Sequence, residues 1–158
     1  MTGRICNGYD VITKTSNAIL VMPKDHYIVL KRSQSTKVNV KRAMASCCQC
    51  QMCTDLCPRH LLGHPITPHM FMRSVSSGTA QDIKPLLDTM FCSACGLCEM
   101  YSCGQGLSPR TLIGEYKGAL RKNGVPVPKD AVLKPVAPYR NERRVPMERL
   151  TARIGLTR

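Results

Sequence analysis

The first part of the chain has short apolar runs and no helical period. Residues 17–22 (NAILVM) and 26–31 (HYIVLK) are rich in β-branched and apolar side chains, and Pro-Lys-Asp separates them. Two such runs on either side of a turn sequence predict a β-hairpin. Residues 31–42 are basic and polar, which predicts a connector. We therefore expect residues 1–39 to form a β segment.

Helical spacing occurs further along the chain. Residues 67–77 begin with a Thr-Pro pair suited to the start of a helix, and Gly78 follows as a stop. Residues 81–91 have apolar side chains at helical spacing, provided that Pro85 lies in the first turn. The clearest helix runs from Ser108, an N-cap, to Gly124, a C-terminal stop. Its apolar face comprises Leu112, Ile113, Tyr116, Ala119 and Leu120.

Residues 125–146 contain five prolines and no helical period, which predicts an extended tail lying over another part of the protein. A short helix from Pro146 to Gly155 should follow. The predicted fold class is α+β, with three parts along the chain. They are the β segment of residues 1–39, a mainly helical core of residues 40–124, and the tail of residues 125–158.

Nine of the ten cysteines fall in two short stretches. The first stretch has the C-x2-C-x2-C-x3-C-P spacing that binds [4Fe–4S] clusters in bacterial ferredoxins. This first run consists of Cys47, Cys50, Cys53, Cys57 and Pro58. The second run, spaced x2, x2 and x4, consists of Cys92, Cys95, Cys98 and Cys103. The ligand pattern is thus duplicated within the chain.

The fourth cysteine of such a run ligates the other cluster. We therefore predict that residues 40–124 form a ferredoxin-like domain with two [4Fe–4S] clusters, crossed ligand sets and no catalytic side chain. Cluster 1 is assigned Cys47, Cys50, Cys53 and Cys103. Cluster 2 is assigned Cys92, Cys95, Cys98 and Cys57. Gly104 stands where the first run has a proline, which leaves the geometry of Cys103 open.

Other uses of the cysteines are less favoured. The chain has no apolar signal sequence and no run near the roughly 18 residues of a membrane helix. We therefore expect no transmembrane segment and a cytoplasmic location, where disulfides are rare. Structural zinc usually takes two ligand pairs separated by a longer loop. A zinc-stabilised basic interaction module remains an alternative.

The formal charge of +13 falls to about +9 when each bound cluster with its thiolates contributes −2. The basic segments lack interleaved aromatic side chains, so nucleic acid is not an expected partner. An acidic redox partner suits the charge better. Near the cysteines we expect His60, His64 and His69 to hydrogen-bond loop backbone. Four methionines should form an apolar shell, namely Met44, Met52, Met90 and Met100, and Cys48 should be buried.

Several stretches resemble the PduS-type cobalamin reductases, which belong to the wider RnfC-like group of electron-transfer proteins. They are MTG, VITKTSNAILVMPKDH, the first cysteine run with LLGHPI, CSACGLCEMYSC with GLSPR, and RRVPMERLTARIGL. The resemblance covers essentially the whole chain and is to the C-terminal, cluster-bearing part of such proteins. The x4 spacing before Cys103 favours the PduS branch. An RnfC-like subunit of a membrane ion-pumping complex is the second interpretation.

The resemblance implies electron transfer from NADH through a flavin and two [4Fe–4S] clusters to a corrinoid, in a bacterial microcompartment for propanediol or related diols. The implied partners are a flavin/NADH module, a corrinoid adenosyltransferase and the microcompartment shell. FMN and NADH belong to an upstream region of the family, which also carries an SLBB domain. The 158 residues contain no glycine-rich nucleotide motif. We therefore expect an electron carrier that is not a complete enzyme on its own.

Overall fold

The computed structural model describes residues 3, 5–14, 16–79, 82–128 and 133–143. Within these ranges the chain is helical and contains no β-strand. The α-helices are α1 (Tyr27–Ser33), α2 (Thr36–Ser46), α3 (Met52–Asp55), α4 (Pro58–Leu61), α5 (Pro68–Ser77), α6 (Lys84–Leu87), α7 (Leu97–Met100) and α8 (Pro109–Lys122). Two 3₁₀ helices span Asp88–Phe91 and Pro138–Arg143.

The predicted N-terminal β-hairpin is wrong. The second of its two apolar runs forms α1, whose first turn is capped by the ring of His26, which accepts a hydrogen bond from the Ile28 amide at 3.3 Å. The basic stretch predicted as a connector continues into α2, which begins after Ser35. β-Branched side chains favour strands only where a pleated, partly covered surface receives them. Residues 16–22 lack such a surface, and Val21 is 94% exposed.

The later helices agree with the prediction. α5 begins with Pro68 and ends at Gly78, whose φ of 69° terminates the helix in the left-handed region. α8 begins with Pro109 and ends just before Gly124, at φ 70°. The segment predicted as one helix over residues 81–91 starts at α6, and its last turn tightens into the 3₁₀ helix Asp88–Phe91.

The hydrophobic core lies where α2, α5 and α8 meet. Its buried members are Ala43, Phe71, Met72, Leu107, Leu112 and Ile113. The ring of Phe71 packs against that of Tyr116, with 5.7 Å between the centroids. Cysteines from both runs pack against this core, namely Cys47, Cys92 and Cys103. The small core therefore positions the sulfurs of these three cysteines.

A buried carboxylate joins α7 to α8. Glu99 is 3% exposed, and its Oε2 accepts hydrogen bonds from the Thr111 amide at 3.0 Å and the Thr111 hydroxyl at 2.9 Å. The amides in the first turn of a helix have no partner within that helix, and negative charge is favourable there. Since Glu99 directly follows Cys98, this contact holds the second run against the core.

The C-terminal part of the described chain lies along the loop that follows α4. The Lys134 amide donates to the Gly63 carbonyl at 2.8 Å, and the Ala137 amide donates to the Leu61 carbonyl at 3.0 Å. Gly63 has φ 89°, and a Cβ atom there would collide with the Lys134 carbonyl oxygen. Residues 138–143, where no helix was predicted, form a 3₁₀ helix. The helix predicted for residues 146–155 lies outside the described residues.

We predict that Gly63→Ala detaches this C-terminal segment. Alanine would place a side chain on backbone in the left-handed region, which costs about 1–2 kcal/mol. Its Cβ would also collide with the Lys134 backbone, which cannot move aside cheaply. Hydrogen–deuterium exchange should be faster in peptides that contain Lys134 and Ala137. Gly118→Ala, on α8 with open space around it, is the matched control and should leave exchange in these peptides unchanged. Equal protection in both variants would contradict the prediction.

Candidate metal centre

The two cysteine runs have the same backbone conformation. In each run, the second residue after the first cysteine has a positive φ, 57° at Gln49 and 56° at Ala94. The residue after the second cysteine does too, 65° at Gln51 and 83° at Gly96. The third cysteine of each run then lies in a one-turn helix, α3 or α7. The duplication seen in the ligand spacing is therefore also a duplication of the fold.

Backbone strain concentrates in these runs. Among the residues that the structure describes, Gln49, Gln51 and Ala94 are the non-glycine residues with positive φ. A side chain in the left-handed region costs roughly 1–2 kcal/mol, and such costs persist where the surroundings enforce them, often at functional sites. Of the four residues with positive φ in the two runs, only Gly96 is of a type that favours this conformation. The equivalent bends at the other three positions could not be predicted from residue type.

The four cysteines predicted for cluster 1 line one cavity of about 80 Å³. They are Cys47, Cys50, Cys53 and Cys103, and Cys48 lines the same cavity. Sites for drug-sized organic ligands usually enclose about 300–1,000 Å³, so this cavity suits a small inorganic group better. Burial, and then the thiols of the other three cysteines, raise the pKa of Cys53 to about 12. The second run thus contributes its last cysteine to the neighbourhood of the first.

The four cysteines predicted for cluster 2 also lie together. Burial raises the pKa of the Cys98 thiol, and so do four neighbouring thiols, those of Cys92, Cys57, Cys53 and Cys95. Burial likewise raises the pKa of Cys57, with Cys95 and Cys92 among the lesser causes. Cys57 belongs to the first run, so the exchange of the fourth cysteine is reciprocal. Cys53 beside Cys98 brings the two groups of four next to each other.

The residue after each fourth cysteine explains how that cysteine is placed. Pro58 begins α4, and the nearby backbone amides of His60 and Arg59 oppose the rise in the pKa of Cys57. Cys103 is followed by a turn, closed by a 3.0 Å hydrogen bond from the Gly106 amide to the Cys103 carbonyl. Glycine in place of proline at position 104 therefore still leaves Cys103 at the cavity of the first run.

Hydrogen bonds to sulfur and nearby carbonyls surround both groups. The side-chain amide of Gln49 donates to Cys47 Sγ at 3.2 Å. The backbone amide of Ala94 donates to Cys92 Sγ at 3.3 Å. Lys117 Nζ donates to the Cys92 carbonyl at 2.8 Å. Burial lowers the pKa of Lys117, and the neighbouring Arg121 adds to this effect.

The predictions for the neighbouring residues hold only in part. His60 contacts backbone, with its Nδ1 2.9 Å from the Ile66 carbonyl. His64 instead contacts the Arg59 guanidinium, and His69 contacts the Thr54 hydroxyl at 2.7 Å. Of the four methionines, Met90 is buried, whereas Met44 and Met52 are exposed. Cys48 is exposed rather than buried.

The donor set fits two iron–sulfur clusters. The eight cysteines of the two runs are free thiols. In the described ranges, no group of three or more Cys, His, Asp or Glu side chains is arranged to hold a single metal ion. Thiolates on a [4Fe–4S] core stand further apart than those on one zinc ion, because each binds a different iron. Two groups of four thiols are the ligands that two such clusters need.

The family model described as the 4Fe–4S dicluster domain matches residues 46–108. The dicluster domain thus runs from the last residue of α2 to the N-cap of α8 and includes all eight predicted cysteine ligands. This match confirms the prediction of iron–sulfur binding.

The chain as a whole is homologous to two curated proteins named cobalamin reductase PduS. The protein from Salmonella typhimurium is 36% identical over 157 residues, which are 99% of this chain and 34% of that protein. The protein from Citrobacter freundii is 34% identical over 163 residues, covering 99% of this chain and 35% of its own length. The predicted resemblance is confirmed. The chain spans about a third of the length of these relatives.

No solved structure matches the chain. In the described ranges, no helix is long and apolar enough to cross a membrane.

We predict that the left-handed bend before α7 controls how firmly the dicluster domain retains metal. Gly96→Ala forces a side chain to φ 83° and should speed the bleaching of the iron–sulfur absorbance in guanidinium severalfold, since the strain is about 1–2 kcal/mol. The reciprocal variant, Gln51→Gly, removes strain at the equivalent position and should bleach no faster than the parent protein. Equal bleaching of Gly96→Ala and the parent would contradict the claim that this bend controls metal retention.

Proposed function

We propose that the chain binds two [4Fe–4S] clusters with crossed ligands and conducts electrons between them, as the cluster-bearing part of a PduS-like cobalamin reductase. Cys47, Cys50, Cys53 and Cys103 would hold cluster 1. Cys92, Cys95, Cys98 and Cys57 would hold cluster 2. The observation that carries the proposal is the reciprocal placement of Cys57 and Cys103, each beside the three cysteines of the other run.

Each cluster, when bound, supplies a site that accepts and releases one electron. The protein's part is to hold the two sites close together and fix their surroundings. α3 packs against α7, and Cys53 lies within electrostatic reach of Cys98. The core behind these helices keeps the separation constant. This arrangement supports electron passage through the domain without any movement of the chain.

The larger system is proposed from the relatives. Because they are named cobalamin reductases, we propose a corrinoid as the acceptor and a flavin/NADH module as the donor. FMN and NADH would be bound by that module. A corrinoid adenosyltransferase and a microcompartment shell are the further proposed partners, with the bacterial microcompartment as the location. The positive charge, about +9 with both clusters bound, supports a docking surface for an acidic redox partner.

Metal analysis of anaerobically purified protein tests the proposal. We expect about eight irons and eight sulfides per chain, and after dithionite reduction an EPR spectrum of two interacting clusters. Cys48→Ser is the matched control, because Cys48 lies in the same stretch but in neither ligand set, and it should retain all the iron. Zinc without iron would contradict the proposal and favour a zinc-stabilised interaction module.

A further inference from the structure

Gln49 and Ala94 occupy the same position in the two runs, but they contact sulfur in different ways. In the second run, the Ala94 backbone amide donates to Cys92 Sγ at 3.3 Å. In the first run, the donor to the corresponding sulfur is a side chain, since Gln49 Nε2 lies 3.2 Å from Cys47 Sγ. A sulfur contact made by a side chain can differ between relatives and can be removed without altering the backbone.

Two side chains of α5 orient the Gln49 amide. Arg73 Nε lies 3.4 Å from Gln49 Oε1, and Ser76 Oγ lies 3.2 Å from Gln49 Nε2. A guanidinium only donates hydrogen bonds, so the atom facing Arg73 must be the amide oxygen. The NH₂ group is therefore the one that faces Cys47 Sγ. Through this amide, the positive charge of Arg73 is linked to the sulfur.

We infer that Gln49 sets the reduction potential of cluster 1, an inference that rests on the proposed function. Reduction adds negative charge to a cluster and its thiolates, and a hydrogen bond donated to sulfur stabilises that charge. The Gln49 amide therefore raises the potential of cluster 1, and Arg73 strengthens this effect by polarising the amide.

The second cluster has a different substitutable group. Lys117, on α8, places its ammonium 2.8 Å from the Cys92 carbonyl, where a positive charge likewise favours the reduced state. Gln49 is supported from α5, whereas Lys117 comes from α8. Two clusters with the same backbone can thus have potentials that are adjusted independently, and their difference determines which way an electron moves between them.

Redox titration followed by EPR tests the inference on the holoprotein. Gln49→Ala should lower the midpoint potential of one cluster and leave the other unchanged. At a fixed potential we expect the ratio of reduced to oxidised cluster 1 to fall about tenfold, which corresponds to a shift of about 59 mV for a one-electron couple. Alanine is compatible with the backbone here, because Ala94 adopts the same φ in the second run. Gln49→Met, which keeps the bulk and removes the donor, should give the same shift.

Three further variants complete the design. Arg73→Gln should lower the same potential by a smaller amount, since the amide donor remains. Ser74→Ala, the control on the same helix, should move neither potential, because the Ser74 hydroxyl donates to the Met70 carbonyl and not to the Gln49 amide. Lys117→Gln should lower the potential of the other cluster.

The outcomes separate the two claims. If Gln49→Met retains about eight irons and both potentials are unchanged, the inference about Gln49 is overturned while the two-cluster proposal stands. A shift of both potentials by Gln49→Met, equal in size, would also overturn it. Parent protein without iron would instead overturn the proposed function.

Discussion

Eight cysteine side chains converge at the edge of a small helical core, and the rest of the structure depends on what offsets the repulsion between their thiolates. The buried apolar cluster where α2, α5 and α8 meet has six side chains among the described residues. Burial and neighbouring sulfurs raise the pKa of Cys53, Cys57 and Cys98, so these groups are protonated without metal. Iron binding requires thiolates, and the positive charge of the iron core makes them stable. We therefore expect cluster binding to be coupled to folding in residues 47–103.

This coupling explains why the two runs share one backbone but have different supports. Each run places three sulfurs by the same pair of left-handed bends, at a cost in strain that the proposed metal ligation would offset. The first run is fastened to α5 through Gln49, and the second to α8 through Glu99 and Lys117. The reciprocal fourth cysteines then join the two halves. A domain built in this way has little need for a larger apolar core.

The features predicted from the sequence are those that depend on residue spacing or on strong caps. Cysteine spacing indicates the iron–sulfur region, and the Thr-Pro and Ser-Pro pairs predict the starts of α5 and α8. The β-hairpin prediction failed because Ile28, Val29 and Leu30 favour a strand only when a partner strand is available. In the absence of such a partner in the described chain, the His26 cap and the basic last turn allow α1.

Other features depend on contacts between distant segments and could not be predicted from local pattern. The positive φ of Gln49, Gln51 and Ala94 is imposed by the need to gather sulfurs, since none of these residue types demands it. The attachment of residues 134–137 to the loop at Gly63 depends on backbone hydrogen bonds, which have no sequence signature. The role of Glu99 as a cap for α8 arises because α7 packs against that helix.

The most direct test of the crossed arrangement is the iron content of paired cysteine variants. If Cys57 and Cys98 hold the same cluster, Cys57→Ser with Cys98→Ser should retain about four irons, as each single variant does. Cys57→Ser with Cys53→Ser should retain almost none, because each change then removes a different cluster. The opposite pattern, with iron lost from the first pair and about four irons kept by the second, would contradict crossed ligation.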